Sequence, residues 1–278
     1  MNITGIGGLS GTQSQQNIQK SNARLQTAIA NLVSGSRLNK ASTDIAALSI
    51  ASQLQSEVAS LKQASNNIAQ VSSLTQVADG GAEQIQNIID KMQAVAAQAK
   101  SPTLTEDNRK ALNEQFQQLR AAIDRFADST TFNNQKLLDG NLSGDKEISL
   151  AGLLGDENDG GEALGINSLT SSNLFNGQSL NLLTPEAAGQ ATVILGDALN
   201  KVTSVRASIG AFQQSLNFAA ANIDSAVVNQ EAARAILQDS DFAESATESS
   251  LANIQRNAAI ALAAQGNKLT PNLLKLVS

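Results

Sequence analysis

The sequence predicts a mainly α protein, a long antiparallel helical rod or coiled-coil bundle built from its N- and C-terminal segments, with a small β-containing outer insert between them. Three observations predict it. Apolar residues recur at spacings of three and four from Leu61 to Ala99, and again from Leu195 to Leu237, the signature of a supercoiled seam rather than a short globular helix. A polar, glycine-rich stretch from about 140 to 184 separates the two patterns. Hydrophobic residues make up 41% of the 278 but aromatics only 3%, with no Tyr and no Trp. The core must therefore be made of Leu, Ile, Val and Ala, and only three prolines interrupt the chain.

The elements follow in order. A short apolar pattern, Ile18, Leu25, Ile29 and Leu32, opens the chain. The first long stripe is Leu61, Ala64, Ile68, Val71, Thr75 as the lone lapse, Ala78, Ala82, Ile85, Ile89, Met92, Ala96 and Ala99, and it extends upstream through Leu54 and Ile50. Met92 reads as core filler in that stripe. Pro102 stops the helix or starts a new turn. A second stripe follows at Leu112, Phe116, Leu119, Ile123 and Phe126. The connection between the two is short, which predicts an antiparallel hairpin. Thr105, Glu106 and Asp107 place a cap and two acids where the helix dipole favours them.

In the insert, Ile148-Ser149-Leu150, Leu164-Gly165-Ile166 and Ser179-Leu180-Asn181-Leu182 read as small strands. Beyond Pro185 the heptads return: Leu195, Ala198, Val202, Val205, Ile209, Phe212, Leu216, Ala219, Ile223, Ala226, Gln230, Ala233 and Leu237. Roughly 50 residues at 1.5 Å per residue make a rod of about 75 Å. Its natural partners are the two earlier stripes. The C-terminal pattern is Leu251, Ile254, Ala258, Ala261 and Leu262, ending in Leu273, Leu274 and Leu276.

Two thin terminal helices bury too little surface to offset the entropy of ordering them. The ends are therefore expected to be weakly ordered in a free monomer and to become stable when packed against other copies. Charge predicts how they pair. Residues 1–43 carry Lys20, Arg24, Arg37 and Lys40 and no acid, whereas 236–248 carry Asp239, Asp241, Glu244 and Glu248 and no base. Folding back brings Arg37 and Lys40 near Asp239 and Asp241. Exposed pairs of this kind add only about 0.2–1 kcal/mol, so their role would be register. The expected domains are 1–43 with 236–278, 44–139 with 186–235, and the insert 140–185. The expected assembly residues are Leu25, Ile29, Leu32, Arg37, Lys40, Asp239, Asp241, Leu251, Ile254 and Leu262.

Composition excludes several functions. With no Cys and no His, Cys-based redox chemistry, Cys/His zinc sites and imidazole catalysis are ruled out. A net charge of −6 argues against generic nucleic-acid binding. The longest strongly apolar run, Ala258 to Ala264, falls far short of the ~20 residues of a membrane span. The N-terminus lacks the basic region and apolar stretch of a cleavable secretory signal. No enzymatic activity and no cofactor are expected. Arg37, Asn39 and Asp44 read as helix contacts or subunit interfaces rather than an active site. Asp156, Glu157, Asp159 and Glu162 lack the spacing of an EF-hand and read as a solvated acidic turn.

Several blocks resemble flagellin. Leu32-Val33-Ser34-Gly35-Ser36-Arg37-Leu38-Asn39-Lys40-Ala41 is similar to the family's leucine-serine-glycine…arginine-isoleucine/leucine-asparagine signature, continued by Asp44, Ala46, Leu48, Ile50 and Ala51. Gln63-Ala64-Ser65-Asn66-Asn67 matches the next block. Phe132-Asn133-Asn134-Gln135-Lys136-Leu137-Leu138-Asp139-Gly140 resembles the phenylalanine-asparagine-glycine…lysine-leucine-leucine stretch. Arg206-Ala207-Ser208-Ile209-Gly210-Ala211-Phe212-Gln213, then Asp239, Asp241 and Glu244, then Gln255 to Gln265, resemble the C-terminal blocks. The resemblance covers roughly 1–140 and 186–278. It implies a structural subunit that polymerises into the bacterial flagellar filament, with paired termini lining the filament channel, heptad helices forming a surrounding spoke and the insert facing outward. It also implies secretion, unfolded, through the flagellar export apparatus by an uncleaved N-terminal signal. An export chaperone on the C-terminal helix, a filament cap and hook-associated proteins are the further partners it implies.

The sequence also departs from the family. Ala47 replaces a common glycine, and Val71-Ser72 replaces an asparagine/aspartate-glycine step. Where stimulatory flagellins are gripped by the innate Toll-like receptor, this chain has Lys91 for arginine, Ala94 for glutamate, Val95 for leucine and Gln115 for glutamate. Lysine lacks the planar fork of arginine, so weak receptor activation is expected. A zinc protease in the insert needs a His-Glu-x-x-His helix, and there is no His. Carbohydrate binding by the insert would favour aromatics, and only Phe175 lies there. Ser171 and Ser172 are candidate O-glycosylation positions, whereas Asn141-Leu142-Ser143 reads as a chance acceptor motif. The alternatives are a hook–filament junction protein, which would be far less abundant in sheared flagella than the filament subunit, and an adhesin-like homologue.

Overall fold

The computed structural model describes the backbone of residues 4–40, 42, 44–155 and 162–277, and the side chains of 12–40, 42, 44–144, 146–155 and 162–265. Asp156, Glu157 and Asp159, and the side chains of Leu273, Leu274 and Leu276, lie outside the described residues. The fold is mainly α, as the periodicity predicts. Among the described residues five long helices carry it: α1 (Thr4–Ser34), α2 (Ile45–Ala99), α3 (Glu106–Ser129) and, after the short α4 (Leu150–Leu154) and α5 (Ser171–Leu174), α6 (Pro185–Gln238) and α7 (Phe242–Val277). The sheet content among the described residues is two antiparallel pairs of two-residue strands, β1 (Thr131–Phe132) with β2 (Gln135–Lys136), and β3 (Ile148–Ser149) with β4 (Ala163–Leu164). The chain forms two compact units, one of residues 59–227 and one of 1–58 with 228–278.

The first unit is built on the heptad stripes. Ala78, Ala82, Ile85, Ile89, Met92, Ala96 and Ala99 of α2 are fully buried, as are Phe116 and Ile123 of α3 and Leu195, Ala198, Val202 and Ile209 of α6, all in one cluster. Each large side chain among them contributes about 1.5–3 kcal/mol of transfer free energy. The lapse at Thr75 is also buried, and its hydroxyl donates to Ser72 O at 2.8 Å, so the polar group is satisfied inside its own helix. The stripe on α3 ends differently from expectation. Phe126 is 40% exposed, and Ala127 takes the buried position, because the step from Ile123 is four residues rather than three. On α6 the burial thins beyond Ile223: Ala233 is exposed and Leu237 half-buried.

α2 ends before Pro102, and Thr105 caps α3 by accepting from Asn108 N. Arg109 then closes the connection, donating to the carbonyls of Ala99, Ser101 and Leu104 at 2.9–3.0 Å. The β1–β2 turn places Asn133 and Asn134 at φ 47° and 66°, the pair of left-handed residues that a tight hairpin requires.

The insert is only partly sheet. Ile148 and Leu164 pair in the strands, and Ile166 bridges to Leu142. Residues 179–182, expected as a strand, form none. Their main chain is held by side chains of α3 instead: Gln117 Nε2 donates to Leu180 O at 2.8 Å, and Asn113 Oδ1 accepts from Leu182 N at 2.9 Å. Leu164, Ile166, Leu174, Phe175 and Leu182 are buried in the same cluster as the helices.

In the second unit α1 and α7 pack along each other. Ser14 to Arg24 lie beside Gln255 to Leu262, and Thr27 to Asn31 beside Ser240 to Glu248, so the two helices run antiparallel.

Candidate self-association surface

The antiparallel pair of α1 and α7 is closed by small side chains. Among the described residues its buried positions are Ser21 and Ala28 on α1, and Ser245, Ala252 and Ala259 on α7. Each set steps by seven residues, so the heptad persists, but with small residues at the seam. The large apolar side chains face elsewhere. Val33 is 83% exposed, Ile236 79%, Phe242 73%, Ile254 64% and Leu262 63%. Ile29 and Leu251 are about half exposed. Large apolar side chains left in solvent along a helix pair point to a candidate interaction surface.

This placement separates the apolar residues of the terminal stripes into two groups. Ile29, Leu251, Ile254 and Leu262 do not close the pair of helices; only Leu25 and Leu32 among the expected apolar residues are half-buried in it. Apolar periodicity reports that a face is covered, not whether the cover comes from the same molecule. The small-residue heptad was the sequence signal for the intramolecular seam.

The turn end of the pair is fixed by main chain. Gly35 adopts φ 67°, a left-handed conformation open to glycine. Ser36 then bridges Asp239, Arg37 N donates to Gln238 O at 2.8 Å, and Ser240 N donates to Gly35 O at 2.9 Å. Arg37 and Asp239 are brought together, but the Arg37 guanidinium Nε donates to the Leu237 carbonyl at 2.6 Å rather than to a carboxylate. At this turn the register is thus held by hydrogen bonds to main-chain carbonyls rather than by an ion pair. Lys40 is exposed beyond it. Asp241 caps α7, its Oδ1 accepting from Ala243 N and Glu244 N, and Asp44 caps α2 through Ala47 N at 2.9 Å. Asn39 donates to Ser36 O at 2.7 Å. Arg37, Asn39 and Asp44 therefore do separate local work.

An open groove of about 670 Å³ runs between the helices here, lined by Arg24 and Arg37 on one side and Asp239, Asp241, Glu244 and Glu248 on the other. Among the described residues no ion pair closes it.

The expected receptor patch divides. Lys91, Ala94 and Gln115 are exposed, whereas Val95 is buried in the helical core and is not a surface position. Of the candidate glycosylation serines, Ser172 is exposed, but Ser171 is buried, with its N and Oγ both donating to Asp124 at 2.8 Å. One functional set was missed from sequence. Asn113, Gln117, Arg120 and Asp124 form a polar stripe on α3 that holds the insert. They lie one residue beyond the apolar positions 112, 116, 119 and 123, and that offset, repeated four times, was the available signal.

Comparison with known proteins follows the same division of the chain. The family model for the bacterial flagellin N-terminal helical region matches residues 9–143, and that for the C-terminal helical region matches 192–277. A flagellin of Halalkalibacterium halodurans is 30% identical over 201 residues, 72% of each chain. A flagellar filament 30.7 kDa core protein of Treponema maltophilum is 27% identical over 212 residues, 72% of this chain and 73% of its own. A solved structure from Vibrio parahaemolyticus, provisionally assigned as a flagellar hook-associated protein, shares the fold at TM-score 0.58 and 13% identity, over 70% of this chain and 99% of its own.

Proposed function

The chain belongs to the bacterial flagellin family, and from that premise we propose how this structural subunit of the flagellar filament carries out its assembly. Its own copies are its partners in the polymer. Residues 1–43 and 236–278 form the inner, channel-lining polymerisation domain, 44–139 and 186–235 the surrounding spoke, and 140–185 the outward insert. Leu25, Leu32, Arg37 and Asp239 serve by shaping the terminal pair. Ile29, Leu251, Ile254 and Leu262 serve by presenting apolar area to neighbouring copies, with Lys40 and Asp241 at the rim.

One observation supports this reading above the others: the terminal helices bury small residues against each other and leave large apolar ones in solvent. A monomer gains little from such an arrangement, since each exposed Ile, Leu or Phe forgoes about 1.5–3 kcal/mol of burial. A polymer recovers that free energy at every subunit contact.

Membership of the family supports the remaining roles. The subunit is exported through the flagellar secretion apparatus with the aid of a chaperone, and a cap and hook-associated proteins bound the filament it builds. It works outside the cell and catalyses no reaction. No described helix is long and apolar enough to cross a membrane. With Lys91, Ala94 and Gln115 on the surface, activation of the innate Toll-like receptor is weak.

The test is reassembly. Filaments are sheared, depolymerised by heat or acid and regrown from the purified subunit. Deleting 1–43 or 236–278 is expected to leave a folded chain that no longer polymerises. Filaments grown from either truncated chain would contradict the proposal.

A further inference from the structure

The groove between α1 and the start of α7 holds four carboxylates, Asp239, Asp241, Glu244 and Glu248, against two guanidinium groups, Arg24 and Arg37. Arg37 directs its Nε to the Leu237 carbonyl, and Asp241 faces the first amides of α7. Glu244 and Glu248 are exposed, one helical turn apart on a single face, and no described ion pair involves them. Meanwhile residues 1–43 contain four bases and no acid. Two of those bases, Lys20 and Lys40, are exposed and likewise stand outside every described ion pair. The groove therefore holds more carboxylates than guanidinium groups, and Lys20 and Lys40 lie outside its lining.

We propose that Glu244 and Glu248 of one copy receive Lys20 and Lys40 of a second copy, so that this charge pairing sets the register between neighbours in the filament. The inference rests on the polymer reading above and adds the polar half of the same contact. Ile236, which also lines the groove and is 79% exposed, supplies apolar area at its wall, so the docking surface offers both charge and burial. The contact is heterologous: the acidic side of the groove meets lysines of the N-terminal segment of a second copy, and such a contact repeats without closing. Charge pairs at a rim give specificity and register more than affinity. The apolar faces hold copies together, and the ionic contact selects how they align.

The test is co-assembly of full-length chains. The Glu244→Lys/Glu248→Lys variant is expected to need a critical concentration roughly tenfold higher than the unaltered chain at low salt. That difference should shrink as ionic strength rises from about 0.01 M to about 1 M and the Debye length falls from about 30 Å to about 3 Å. Mixing it with a Lys20→Glu/Lys40→Glu variant should restore assembly, with both chains in each filament. Glu244→Gln/Glu248→Gln, which places no base near the N-terminus of α7, keeps the test open if the reversed variant loses helix by circular dichroism. It should show a smaller rise in the same direction. Equal assembly of all variants would overturn the inference and leave the polymer reading intact. Impaired assembly without mutual rescue would also overturn it, by showing that the groove serves another cation or a different basic partner. If the unaltered chain itself fails to regrow, the polymer reading falls and takes this inference with it.

Discussion

Arg206 of α6 reaches across to Asp79 of α2, its Nε donating to Oδ1 at 2.9 Å while its Nη1 donates to Gln86 Oε1 at 2.8 Å. Both charged side chains are about one-third exposed, so the pair sits at the edge of the core. The hydrogen bond to Asp79 holds the guanidinium above even its ordinary high pKa, against the opposing effect of burial, with the nearby charges of Asp79 and Glu83 adding to the rise. A raised pKa stabilises the fold at every pH below it, so the arginine stays charged throughout the range where the protein works. Lysine has no fork with which to reach two acceptors. Arg206→Lys is expected to lower stability by about 1–2 kcal/mol, read as an earlier midpoint with unchanged slope in urea unfolding of the monomer.

Gly80 and Gly81 are neighbours in α2 with opposite requirements. A Cβ at Gly81 would lie 2.6 Å from Thr130 Oγ1, 2.7 Å from its Cγ2 and 2.9 Å from Leu138 Cδ1, whereas one at Gly80 would meet nothing within 4 Å. Overpacking at a buried position costs about 1–3 kcal/mol. Replacing glycine by alanine in an open helical position stabilises by about 0.5–1 kcal/mol. Gly81→Ala should therefore destabilise and Gly80→Ala stabilise, with Thr130→Ala partly rescuing the former. Thermal unfolding of the three single variants and the Gly81→Ala/Thr130→Ala pair decides the matter. Equal effects at 80 and 81 would refute the close approach.

The helical stripes were legible because burial from both sides of a seam imposes a 3–4 spacing that no loop reproduces, and Ile85, Ile89, Val202 and Ile209 sit where that spacing puts them. Thr105 was legible for a local reason, since a cap acts within its own turn. The insert was less so. Leu180 and Leu182 alternate like a strand, but their main chain is held by Asn113 and Gln117 from α3, more than 60 residues away in sequence, and alternation cannot report what lies opposite. The chain ends were legible in part. Leu251, Ile254 and Leu262 share a helical face that stays in solvent, and the seam between α1 and α7 is held by the smaller Ser245, Ala252 and Ala259, which no apolar stripe reports. Residue size, rather than hydrophobicity, separates the two faces.

At the start of α3, Lys110 hydrogen-bonds Glu106 at 2.9 Å. That bond, with the lysine's charge, holds the Glu106 carboxyl below its ordinary value. A depressed carboxylate pKa gives a contribution present above the ordinary value and lost as pH falls through the lowered one. Both side chains are well exposed, so solvent screens the pair and its effect on stability is small. The expected result is a Glu106 titration midpoint below the usual glutamate range by NMR, returning upward in Lys110→Gln. A midpoint indifferent to the lysine would show that the pair is not formed in solution.

The two faces of α7 should respond in opposite ways to substitution. Ala252 is 1% exposed and Ile254, two residues on, is 64% exposed. Enlarging the seam by Ala252→Leu forces α1 and α7 apart or displaces the new side chain, at a cost of about 1–3 kcal/mol. It should therefore reduce amide-exchange protection in both helices of the monomer. Ile254→Ser removes apolar area that the monomer does not bury, so monomer exchange should stay as it was. In the polymer the same serine withdraws burial worth about 1.5–3 kcal/mol, which corresponds to a critical concentration raised roughly tenfold or more. Amide exchange on monomers and sedimentation of regrown filaments give the two readouts on the same preparations. If Ile254→Ser loosened the monomer while leaving assembly untouched, the outward face would be part of the fold and not of the contact between copies.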